Sequence, residues 1–75
     1  MKIDMYYLEH VMRILRELPK RQLAVIEMRY GLENGYIHTP EEVGRKLIMT
    51  RERVRQIEER VALKLSEIPA LTTNP

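Results

Sequence analysis

Apolar residues recur at three- and four-residue steps in four separate stretches of this chain, and nowhere do they alternate with polar residues in the two-residue rhythm of a strand. Leu8, Val11, Leu15 and Leu18 share one helical face, widened by Met12 and Ile14, which predicts a first helix over about residues 4–18. Pro19 ends it, because the residue before a proline is pushed out of helical geometry. A second helix is predicted over about residues 20–30, with Leu23, Ile26 and Tyr30 on its buried face and Val25 close by. Gly31 follows, the residue type most at home just past a helix end, and Glu33-Asn34-Gly35 continues as a turn.

The third and fourth helices carry strong start signals. In His38-Thr39-Pro40-Glu41-Glu42, Thr39 can cap, Pro40 occupies the first helical position and Glu42 completes a capping box. Val43 and Leu47 then face inward. Gly44 costs about 1 kcal/mol inside a helix, so another helix is expected to pass close to it. Thr50 caps the fourth helix, which runs to about Ser66 with Val54, Ile57, Val61, Leu65 and Ile68 as one apolar stripe. Pro69 stops it, and residues 69–75 are expected to form a frayed tail. A short helix, a turn at Leu47-Ile48-Met49 and a longer capped helix have helix-turn-helix spacing, although two antiparallel helices of any small bundle share it. The expected architecture is a single all-α, four-helix domain over residues 1–75, with a helix-turn-helix at about 40–59 and no wing.

Composition narrows the function. With 75 residues the chain holds one small core, and without cysteine it has neither disulfides nor a thiolate nucleophile. His10 and His38 lack partners at metal-ligand spacing. Glu41-Glu42 and Glu58-Glu59 are sequence neighbours, which do not face each other on a helix. No catalytic residue, metal, cofactor or small-molecule substrate is therefore expected, and a binding module is the default. Asp4, Glu9 and His10 interrupt the start of the chain, so no leader or membrane span is predicted and a cytosolic site is the natural expectation. The five methionines read as gap-fillers in the core. Tyr6 and Tyr7 read as core edge or contact surface.

The net charge is only +2, but nine of the thirteen basic residues are arginine, whose planar fork suits phosphates and guanine edges. Both halves of the chain are nearly balanced, so any nucleic-acid footprint must come from local placement. On a helical wheel, Glu52, Gln56, Glu59 and Leu63 lie opposite the apolar stripe of the fourth helix, flanked by Arg51 and Arg55 on one side and Arg53 and Arg60 on the other. Arg, Gln and Glu can each bond base edges in the major groove. The plain alternative is a solvated face of ion pairs at helical spacing, Arg55 with Glu59 among them. Against it stands the crowding of cations at a helix N-terminus, where the dipole disfavours them.

Met28-Arg29-Tyr30-Gly31-Leu32, then His38-Thr39-Pro40-Glu41-Glu42-Val43-Gly44, then Thr50-Arg51-Glu52-Arg53-Val54-Arg55-Gln56-Ile57-Glu58 closely resembles region 4 of the sigma-70 family of bacterial RNA polymerase initiation factors. The similarity covers about residues 18–65 and is greatest to primary-like members. It implies a four-helix domain whose last helix docks in the major groove of the -35 element, a TTGACA-like sequence, while the domain also grips the flap of the polymerase β subunit. By that resemblance Arg51, Glu52 and Gln56 would read bases. Arg21, Arg29, Thr39, Glu41, Thr50, Arg53, Arg55 and Arg60 would lie along the DNA backbone, Glu41 through its amide, and Arg60 also where activators can reach.

Some positions depart from the family pattern. Pro40 replaces a usual leucine and has no N–H, so the backbone bond falls to Glu41. Ile48 stands at a turn position that is usually small or polar, Leu63 replaces a commonly basic residue, and the basic C-terminal extension of primary factors is missing. The chain is also far shorter than a sigma factor, which suggests a fragment, one half of a split factor, or a small stand-alone regulator. Two further readings stay open: a module that mainly holds the flap or an anti-sigma protein, and a dimeric helix-turn-helix repressor pairing through its Tyr6-Tyr7 end.

Overall fold

The computed structural model describes residues 5–68. They form four helices in chain order: α1 (Met5–Arg16), α2 (Lys20–Tyr30), α3 (Pro40–Leu47) and α4 (Arg51–Ser66). No strand occurs among the described residues, and no helix there is long and apolar enough to cross a membrane. The expected frayed tail lies outside the described residues.

Helix boundaries follow local chemistry. Thr39 caps α3 by accepting from the Glu42 amide at 3.1 Å, while the Glu42 carboxylate accepts from the Thr39 amide at 2.8 Å. Thr50 caps α4 by accepting from the Arg53 amide at 3.0 Å. Gly31 ends α2 in the left-handed region, with φ of 65°. The first helix stops at Arg16, two residues short of the predicted Leu18. There the Leu18 amide turns back to the Leu15 carbonyl at 3.2 Å in a tightened last turn ahead of Pro19.

The core is Leu18, Val25, Ile26, Val43, Val54, Ile57 and Val61, with Leu15, Leu23, Met28, Leu47, Met49 and Leu65 packed around it. Burying each of the seven side chains fully is worth about 1.5–3 kcal/mol. Helix α4 touches all three others and supplies three of the seven. Helix α1 supplies none, because its apolar face meets mainly α4 and remains half-covered.

Two inward assignments do not hold. Tyr30 is 57% exposed: α2 packs on α3 and α4 through Val25 and Ile26, which leaves the phenol at the rim. Met12 is 48% exposed, at the open rim of a shallow pocket that it shares with Leu23 and Glu27 of α2.

The region around Gly44 also differs from the expectation. What approaches it is the turn leading into α4, not the body of a helix. A β-carbon on Gly44 would stand 2.5 Å from the Met49 carbonyl oxygen. The turn occupies residues 48–50, one later than predicted, because Leu47 is still helical. Its first residue, Ile48, has φ of 56° and ψ of 57° and is 84% exposed. A β-branched residue in the left-handed region is a genuine outlier.

Candidate nucleic-acid interface

The short turn sets the N-terminus of α4 beside α3. All three residues expected to read bases, Arg51, Glu52 and Gln56, are exposed, as are Arg53, Arg55 and Arg60. The cap satisfies the Arg53 amide, which leaves the amides of Arg51 and Glu52 without a partner inside the helix. These amides and the helix dipole favour an anion. An open groove of about 550 Å³ runs beside this end, lined by Glu41, Gly44, Arg45, Ile48, Met49, Thr50 and Arg51.

This surface is laced together by its own side chains. Arg51 Nη1 lies 3.6 Å from Glu41 Oε2, joining α4 to α3. Arg55 sits between Glu52 at 3.5 Å and Glu59 at 3.7 Å. Arg53 Nη1 donates to Gln56 Oε1 at 3.5 Å. These contacts are long and solvated, and exposed pairs of this kind contribute about 0–1 kcal/mol. They form the solvated network of the plain alternative, and they hold no donor strongly.

Two residues expected at the DNA backbone have firmer internal partners. Arg21 Nη2 donates to the Leu47 carbonyl at the C-terminal end of α3, at 2.5 Å. Arg29 is half-buried: its Nε donates to Glu58 Oε2 at 2.9 Å and its Nη1 to the His38 carbonyl at 2.9 Å. The His38 amide donates to the Met28 carbonyl at 2.9 Å, and its ring, buried, stacks edge-on against Tyr36. Arg29 thereby ties α2, the loop before α3, and α4 into one unit. Sequence reasoning passed over Glu58 and His38. The signal for Glu58 was available: it lies four residues after Val54 and three before Val61, inside the apolar stripe, where a carboxylate needs a cation.

Residues of α1, α2 and α4 line a second groove of about 430 Å³, almost wholly apolar, with Val11, Leu15, Ile26, Val61, Ala62 and Leu65 among them.

Comparison with known proteins adds the decisive observation: residues 14–67 match the family model "Sigma-70, region 4". The chain belongs to this family. It is 44% identical over 57 residues to the RNA polymerase sigma factor SigA of Clostridium acetobutylicum, an alignment covering 76% of this chain and 15% of that protein. To SigA4 of Synechococcus elongatus it is 42% identical over 57 residues, covering 76% of this chain and 18% of that one. To RpoD of Neisseria gonorrhoeae it is 48% identical over 52 residues, covering 69% and 8%. The chain thus spans less than a fifth of the length of these relatives, and it matches them where region 4 lies. The matched residues 14–67 take in α2, α3 and α4, the described helix-turn-helix among them.

Proposed function

We propose that this region 4 domain recognises promoter DNA, setting α4 in the major groove of a TTGACA-like -35 element during transcription initiation in the bacterial cytosol, without enzymatic activity of its own. The observation that carries the reading is the face formed by residues 51–56. Arg51, Glu52, Arg53, Arg55 and Gln56 are exposed there, dense in base-reading types, on a capped helix that Val54 anchors in the core. Arg51, Glu52 and Gln56 read base edges. Thr50, Arg53, Arg55 and Arg60 follow the flanking phosphates, as do Thr39 and the backbone amide of Glu41 at the start of α3. Arg21 and Arg29 can join them only with the guanidinium nitrogens that Leu47, Glu58 and His38 leave unused.

The groove between α1, α2 and α4 supports the second half of the proposal, a grip on the polymerase β flap. It is apolar, and none of residues 51–56 lines it, so the two contacts use different residues. Tethering by the polymerase raises the local DNA concentration and offsets the weak binding of a lone helix-turn-helix. Activators or anti-sigma proteins are further candidate partners on the exposed surface of α4.

The test is fluorescence anisotropy with a TTGACA duplex and a scrambled one across a salt series. A preference for TTGACA that Arg51→Ala reduces by about 1–3 kcal/mol is the expected outcome. Equal binding to both duplexes, together with capture of an isolated β flap, would leave the flap grip standing and remove direct base reading by the free domain.

A further inference from the structure

Each base-reading residue of α4 has an internal partner: Arg55 for Glu52, Arg53 for Gln56, and Glu41 for Arg51. The first two partners belong to α4 itself. Among the described residues, the pair of Arg51 with Glu41 is the only ion pair between α4 and α3. Its geometry therefore depends on how the two helices are set, whereas the others move with α4.

The electrostatics of the pair are asymmetric. Arg51 is the first residue of α4, where the helix dipole disfavours a cation, and Glu41 is the second residue of α3, where the dipole favours an anion. Arg51 therefore gains more from the pair than Glu41 does. Both side chains are about two-thirds exposed, so Arg51 can exchange its partner for DNA.

We infer that the Glu41 carboxylate is a positioning and specificity-determining group for Arg51, an inference that rests on the DNA-reading function proposed above. The carboxylate holds the guanidinium over the start of α4, pointing its remaining N–H groups outward. It also repels phosphates from the same spot. A sequence-blind contact between Arg51 and a DNA phosphate then brings a second anion beside the carboxylate, whereas a neutral guanine edge can accept from the outer N–H groups without that repulsion. Glu41 consequently lowers affinity for any DNA and raises discrimination. This role belongs to its side chain and is separate from a phosphate contact by its amide.

The experiment compares the unaltered 75-residue chain with Glu41→Gln and Glu41→Asp, using the TTGACA and scrambled duplexes at several salt concentrations, with a thermal melt of each variant. For Glu41→Gln the scrambled duplex is expected to bind more tightly, and the ratio of the two affinities to fall about two- to five-fold. Its salt dependence on the scrambled duplex should steepen by about 0.9 in log–log slope, the signature of one added phosphate contact. A bracing role alone would move the melt and leave that slope unchanged. Glu41→Asp, which keeps the charge, should recover part of the ratio. If the unaltered chain prefers TTGACA and Glu41→Gln keeps both the ratio and the slope, the role of Glu41 is overturned while DNA reading stands. If the unaltered chain shows no preference, DNA reading itself fails and the role of Glu41 falls with it.

Discussion

Gly44→Ala sets two ordinary rules against each other. Helix propensity says that alanine inside α3 should stabilise the domain by about 1 kcal/mol. The packing says the reverse. The new methyl would lie 2.5 Å from the Met49 carbonyl oxygen, where ordinary contact begins near 3.4 Å, so the turn must withdraw by about 0.9 Å. That oxygen is backbone and cannot swing aside as a side chain would. The turn is also bonded to Gly44 itself, since the Ile48 and Met49 amides both donate to the Gly44 carbonyl. Overpacking of this kind costs about 1–3 kcal/mol, and loosening one of those bonds adds about 1 kcal/mol. After the propensity gain, a net loss of about 1–3 kcal/mol remains. At about 4–8 °C per kcal/mol for a domain of this size, Tm should fall by roughly 5–20 °C in a circular dichroism melt. DNA affinity should fall as well, because the same turn positions Thr50 and Arg51. A variant as stable as the parent, or more so, would refute the close approach of the turn.

Other consequences are open to measurement. Ile48→Asn should stabilise the domain by about 1 kcal/mol, because asparagine tolerates the left-handed backbone that isoleucine resists and almost no burial is lost; an unchanged Tm would contradict the φ of Ile48. Glu58→Ala should cost about 2–3 kcal/mol in urea unfolding, since it strands the half-buried Arg29 guanidinium; a loss below about 0.5 kcal/mol, the level of an ordinary surface substitution, would mean that the pair does not brace the fold. Ala62→Glu places a charge at an exposed position lining the apolar groove. It should weaken β-flap capture at least about tenfold, the effect of 1.4 kcal/mol, while leaving anisotropy with the TTGACA duplex unchanged; equal loss of both would show that groove and reading face are not separate.

Helix ends were legible because their causes are local. Thr39, Pro40, Glu42, Thr50, Pro19 and Gly31 act within four residues of themselves, and each does in the structure what its chemistry suggests. The α4 stripe was equally legible, because buried residues on one helix recur with a fixed period. How deeply a face is covered was not. The period of α1 is as regular as that of α4, yet it buries nothing fully, since coverage depends on neighbours that the pattern does not name. Tyr30 and Met12 were misplaced for the same reason.

At the candidate site, the exposure of Arg51, Glu52 and Gln56 followed from the α4 wheel. The brace from Arg29 to Glu58 spans 29 positions, and no spacing rule reaches that far. Ile48 runs against every local preference, and only the backbone shows its conformation.

The thin attachment of α1 shapes how the domain breathes. With no fully buried side chain of its own, this helix can detach without opening the centre formed by Val25, Val43, Val54 and Ile57. Amide hydrogens of residues 5–16 should then exchange through a low-energy excursion, well below the cost of global unfolding. A protein helix seated against Val11 and Leu15 would raise that cost, because departure of α1 would now expose two surfaces instead of one. Slowed exchange along α1 would therefore report occupancy of the groove from a distance, before any contact residue is known.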